Sequence, residues 1–178
     1  FSPESRTELE AAVNACLQLS SEGDCSKGLH GAIATWDVSD VTDLRVMFYG
    51  ASTFNSDISN WDVSSVTDMS RMFMYAESFN IDISKWNVSR VVNMDYMFSD
   101  ATSFKKELCG AAWVRSKATK EDMFKGSSGS ISRTLCTNVS PAFASALHLK
   151  GAVAACLKLS ARGHCTSGPH GPIAEWDV

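Results

Sequence analysis

The residues with the greatest chemical capacity here are the cysteines. Cys16 and Cys25 recur, in the same phase, as Cys156 and Cys165, and Cys109 and Cys136 form a third group. Two chemistries fit such residues. Thiolates joined by His30, His170 or the adjacent His164 could hold zinc. That supplies only three ligands per group, at spacings unlike the close Cys-x2-Cys knuckles of structural zinc. Six cysteines otherwise admit 15 disulfide pairings in principle. The internal duplication favours the local one: Cys16–Cys25, Cys109–Cys136 and Cys156–Cys165. Each bridge of that size contributes about 2–4 kcal/mol. Disulfides persist in oxidising compartments, so the expected location is extracellular, at a cell surface or in an organelle lumen.

Other residues offer less. His30 and His170 each precede a glycine and have no paired nucleophile in sequence, which favours a structural role. There is no H-E-x-x-H, phosphate-binding loop, G-x-G-x-x-G or G-x-S-x-G. No catalytic residue, metal or cofactor is therefore expected, and the chain is read as a non-enzyme. Acidic and amide residues fall into columns: Asp37, Asp62 and Asn87; Asp43, Asp68 and Asn93; Asp57 and Asp82. They suit the capping of turn and helix-start N–H groups better than a calcium cage, which needs six to eight oxygens. Asn87-Val88-Ser89 and Asn138-Val139-Ser140 are formal glycosylation acceptors, the second weakened by Pro141.

Composition excludes several classes. The 178 residues are 44% hydrophobic and 20% charged, unlike a disordered tail. A net charge of −4 gives no bulk electrostatic case for nucleic acid. No apolar run approaches the ~18 residues of a membrane span, so direct membrane insertion is not expected.

The positioning elements are repeats. Trp36, Trp61 and Trp86 stand 25 residues apart, and the first two units match at 15 of 25 positions. Met47-Phe48, Met72-Phe73 and Met97-Phe98 keep phase, as do Phe54, Phe79 and Phe104. A degenerate fourth unit starts at Trp113. Residues 9–38 also match 149–178 at 18 of 30 positions. The chain thus reads as one module and the start of another, a segment of a longer tandem protein.

Within a unit, Ile58, Trp61 and Val63 read as a short strand. Val66, Met69, Met72, Phe73 and Ala76 then read as a helical face, with Ser65 and Asp68 as a capping pair. The fold expected is an α/β solenoid, leucine-rich-repeat-like, of 25-residue strand–helix units with helical, disulfide-stapled caps. A methionine stripe of this kind can serve soft metals or heme, but its phase points to core packing. The expected division is a capping helix and disulfide loop at 1–35, three repeats at 36–107, a degenerate repeat and cap at 108–140, and a second module from 141 to 178.

The unit F-N-x-D-I-S-x-W-D-V-S-x-V-T-D-M-x-x-M-F-x-x-A-x-S-F, from Phe54 to Phe79, resembles the BspA-like leucine-rich-repeat surface proteins. The same repeat occurs in mycoplasma lipoprotein-type proteins and in protist and algal ones. The resemblance implies a secreted or surface protein that acts in adhesion and protein binding, with no catalytic set to carry over. The cysteine-bearing cap joined to a second module departs from many bacterial members.

These observations lead to a non-catalytic interaction or scaffold protein, whose partners are proteins, including neighbouring modules placed end to end. The exposed positions that differ between units make Arg45, Tyr49, Arg71, Met74, Arg90 and Tyr96 candidate partner-binding residues. One alternative is a subunit bridging a large membrane-associated or lumenal complex. Another is a secreted enzyme or carbohydrate-binding protein on the same frame. A flat threonine array would mark such a binding face, but Thr42 and Thr67 are followed in phase by Val92.

Overall fold

The structure, a computed structural model, describes residues 1–136. The chain divides into two units, Phe1–Leu135 and Cys136–Val178. The second module expected over 141–178 lies outside the described residues, with Cys156, Cys165, His148, His164, His170 and the Asn138 acceptor.

Helix α1 spans Arg6–Leu19. Ser5 caps it, its side-chain oxygen accepting from the Glu8 N–H at 3.2 Å. Leu9, Ala12, Val13 and Cys16 recur every three or four residues and are buried, whereas Leu19 at the helix end is exposed. A 3-10 turn covers Ile33–Thr35. Further on, β1 (Glu107–Leu108) pairs in parallel with β2 (Ser130–Ile131), and α2 spans Ala111–Val114.

Between α1 and β1 there is no regular helix or strand, and the strand–helix repeat expected from the sequence is not there. Two helices and one two-stranded parallel sheet are all the regular structure among the described residues, apart from the 3-10 turn. Ile58, Trp61 and Val63 lie in irregular backbone, where the Trp61 N–H donates to Ile58 and the Val66 N–H to Val63, and Ser70 to Tyr75 lie in turns. Asp68 does not cap a helix with Ser65; its Oδ1 accepts from the Ser70 N–H at 2.8 Å. The caps fare differently, since α1 is helical but α2 has only four residues.

The reason lies in where the amide hydrogens go. Met47, Tyr49 and Ala51 donate to carbonyls three residues back, closing consecutive β-turns. Leu44, Val46, Phe48 and Gly50 instead donate out of the unit, to the carbonyls of Asp68, Ser70, Met72 and Met74 at 2.8–3.1 Å. Met69, Arg71, Phe73 and Tyr75 repeat this toward Asn93, Asp95, Met97 and Ser99, each at 2.9 Å. Met94, Tyr96, Phe98 and Asp100 repeat it again toward the next unit. Every N–H in the run is satisfied, as burial demands, but half of them face the neighbouring coil. Successive turns bring residues three apart to one side, so the apolar spacing imitates a helix.

A left-handed residue recurs twice per coil and forbids a continuous helix. Val46, Arg71 and Tyr96 have φ of 55°, 55° and 59°. Gly50, Tyr75, Asp100 and Gly126 form the second column, at 68°, 62°, 57° and 72°. Glycine takes this conformation freely, while the other residues are strained there by about 1–3 kcal/mol each. The packing of the coils holds them in place.

That packing is aromatic. Phe48, Phe73, Phe98 and Phe124 lie parallel with centroids 5.5 Å apart at each step. Phe54, Phe79 and Phe104 form a second column at 6.0 and 5.9 Å. The columns also touch each other, at 4.1, 3.9 and 4.0 Å. Met47, Met72 and Met97 are buried beside them. The buried indoles tie one coil to the last: Trp61, Trp86 and Trp113 donate Nε1–H to the carbonyls of Ile33, Ile58 and Ile83 at 2.9, 3.2 and 3.0 Å. Trp36 donates instead to His30 at 3.1 Å, and the His30 ring packs on Phe1 at 3.8 Å.

Candidate functional site

The acidic columns cap the coils. Asp37, Asp57, Asp62, Asp82 and Asn87 each accept the N–H of the serine two residues on, at 2.9–3.3 Å. The serine side chains and N–H groups hold Asp37, Asp57 and Asp62 below the usual carboxylate range. Asp43, Asp68 and Asn93 form the same turns and lie in phase as parallel bridges. Among the described residues no group of three or more His, Cys, Asp or Glu is placed to hold a metal ion. Asn87 is exposed in an Asx turn, not in a strand.

Cys16 and Cys25 form a disulfide. Cys109 and Cys136 are disulfide-bonded as well, and among the described residues no cysteine is free. Disulfides are compatible with an oxidising location. No described helix is long and apolar enough to cross a membrane.

Four of the candidate binding residues come together. Tyr49, Arg71 and Met74, with Val46, line an open hollow of about 640 Å³. The Arg71 guanidinium lies over the Tyr96 ring, 5.4 Å from its centroid. Tyr49 meets Tyr75 edge-on at 5.7 Å. The Tyr96 hydroxyl donates to Glu121 Oε1 at 2.9 Å, a bond that raises the phenol above its usual pKa. Left-handed backbone at Val46, Arg71 and Tyr75 turns these side chains outward from the turns, which leaves an apolar and aromatic ridge exposed.

The other two candidates lie elsewhere. Arg45 is bound into a local network: its Nε sits 2.9 Å from Asp43 Oδ2, and its carbonyl accepts from Arg6 at 3.1 Å. Arg90 lines a separate cleft beside α2. Tyr49 and Met74 are not followed by an exposed residue in phase, because Ser99 is buried. Tyr75 was not among the sequence candidates. The signal was Gly50 in the same phase, since a recurring glycine marks the left-handed position that exposes its replacements.

With the geometry in place, comparison with known proteins adds one finding. The family description "Mycoplasma protein of unknown function, DUF285" matches residues 18–135. The chain belongs to the DUF285 family. The match runs from the end of α1 to the last residue of the first unit, so the DUF285 region takes in all the stacked coils. No curated protein and no solved structure matches the chain. Membership of DUF285 supports a mycoplasma-type repeat protein and does not extend to the BspA-like name.

Proposed function

We propose that this chain is a non-catalytic interaction protein of a secreted or surface-exposed assembly, related to the BspA-like proteins, and that the ridge around Tyr49 and Tyr75 docks a protein partner. The supporting observation is the ridge itself. Tyr49, Tyr75 and Val46 are 51%, 40% and 38% exposed, next to an Arg71 already stacked on Tyr96. Tyrosine and arginine are the residues that carry binding energy at protein interfaces. Strained backbone persists where surroundings enforce it, and here it serves to present side chains rather than to bury them. A photo-crosslinking residue at Tyr49 or Met74, in the source cells, tests this. Capture of one protein species from both positions, lost on Tyr75→Ser with Arg71→Ala, is the expected result. Crosslinking no stronger than from an equivalent probe at Lys105 would overturn it.

End-to-end association of modules is a second reading, favoured by the cap. Leu19 and Leu29 are 67% and 93% exposed beside a hollow of about 470 Å³ lined by Ala12, Ala15 and Trp36. Exposed apolar side chains grouped around a hollow are the kind of surface that a partner can cover. Concentration-dependent self-association that Leu29→Asp abolishes would support it, and a strictly monomeric chain would remove it.

A further inference from the structure

A second surface differs from the ridge in charge and shares no lining residue with it. The cleft beside α2 has a volume of about 780 Å³, within the range of ligand sites. Lys85 and Arg90 stand on the third coil, with Arg115 and Lys117 after α2. No Asp or Glu among the described residues lines it. None of these four cations makes an ion pair with a described residue. In a chain of net charge −4, four cations gathered at one concavity form a local field opposite to the whole.

The rest of the lining narrows the ligand. Val92 and Ala112 provide apolar surface over the buried Trp86 and Val91, and Asn87, Ser89 and Ser116 provide hydroxyl and amide groups. At Val92 the backbone is already paired: its N–H donates to Thr67, and its carbonyl accepts from Thr119. An extended peptide would find no free ladder to join at that position. Recognition at the charged rim falls to side chains. Cations at the rim, hydroxyl and amide groups between them and an apolar floor match a sugar chain carrying sulfates or carboxylates. The guanidinium forks of Arg90 and Arg115 fit either anion in bidentate fashion.

We propose that this cleft binds an anionic saccharide, with Arg90 and Arg115 as the principal contacts. Calorimetric titration of the full chain at low salt tests it with four probes: a short heparin-derived oligosaccharide, an oligogalacturonate, a malto-oligosaccharide and a poly-glutamate peptide. Saturable binding of the heparin-derived oligosaccharide or the oligogalacturonate is expected, and the tighter of the two identifies the anion. The double variant Arg90→Ala, Arg115→Ala should lose about three- to thirtyfold in affinity, the upper part of the range for two exposed charge contacts. All four cations are exposed, so the variant should keep the parent melting temperature, and Lys105→Ala, at an exposed cation outside both surfaces, should bind like the parent. Absence of binding by both anionic saccharides would overturn the proposal. So would equal binding of the neutral oligosaccharide, tighter binding of poly-glutamate, or a double variant that binds normally.

Discussion

Truncating Phe73 to alanine strikes the centre of the stack. Its ring is fully buried, with Phe48 and Phe98 at 5.5 Å on either side and Phe79 at 3.9 Å. Removing a buried phenylalanine costs about 3–5 kcal/mol through lost transfer energy and the cavity left behind. Parallel aromatic neighbours each add about 0.5–1.5 kcal/mol beyond area. Three such neighbours put Phe73→Ala near the top of that range, at about 4–5 kcal/mol. Phe124 closes the column from a partly exposed position, with Phe98 at 5.5 Å and Phe104 at 6.3 Å. The same truncation there should cost about half as much. A domain of this size is stable by roughly 5–15 kcal/mol, so both variants should fold and differ measurably. Urea denaturation followed by tryptophan fluorescence reads both costs. A Phe73 cost under about 1.5 kcal/mol, or equal costs at the two positions, would refute the aromatic stack as the main source of cohesion.

Three further outcomes follow from the same structure. Trp86→Phe removes one of the two donors to the buried Ile58 carbonyl, which keeps the Trp61 N–H at 3.1 Å, and should cost about 0.5–1.5 kcal/mol by urea denaturation, against almost nothing for a surface change such as Lys85→Gln. Cys16→Ser should lower stability by about 2–3 kcal/mol, the loop-closure contribution of its short bridge, and dithiothreitol should have no further effect at that end in the variant. For pH, the hydrogen-bonded Asp57 and Asp62 have pKa values below the ordinary one, so their contribution is complete above about pH 4 and is lost as pH falls through the folded values. Urea midpoints should therefore be level from neutral pH to about pH 5 and fall below pH 4, with a shallower fall in Asp57→Asn, Asp62→Asn.

The sequence carried the period, the buried columns and the cap helix. Tryptophans 25 residues apart and Met-Phe pairs in phase can only be satisfied by stacking, and the stacked rings show how. It did not carry the local backbone. Val66, Met69, Met72 and Phe73 have helical spacing whether the amide of Phe73 bonds four residues back or to the next coil. Apolar periodicity reports which side chains share a face, not where the hydrogen bonds go. Gly50 and Gly126 pointed to a left-handed position, but Tyr75 and Asp100 occupy it between them and hide the pattern. The cleft was hidden for another reason: Lys85 and Arg90 are well separated in sequence from Arg115 and Lys117, and only the turn at α2 brings the two pairs to one concavity.

The display of side chains on coils built from turns depends on one backbone pattern, in which the Phe73 N–H donates to the Met97 carbonyl at 2.9 Å. Scalar couplings measured across hydrogen bonds by NMR read that bond directly. A coupling is expected from the Phe73 amide nitrogen to the Met97 carbonyl carbon, with equivalent couplings from Phe48 to Met72 and from Phe98 to Met123. A coupling from Phe73 to the carbonyl of Met69, four residues back, would show a helix there and contradict that pattern.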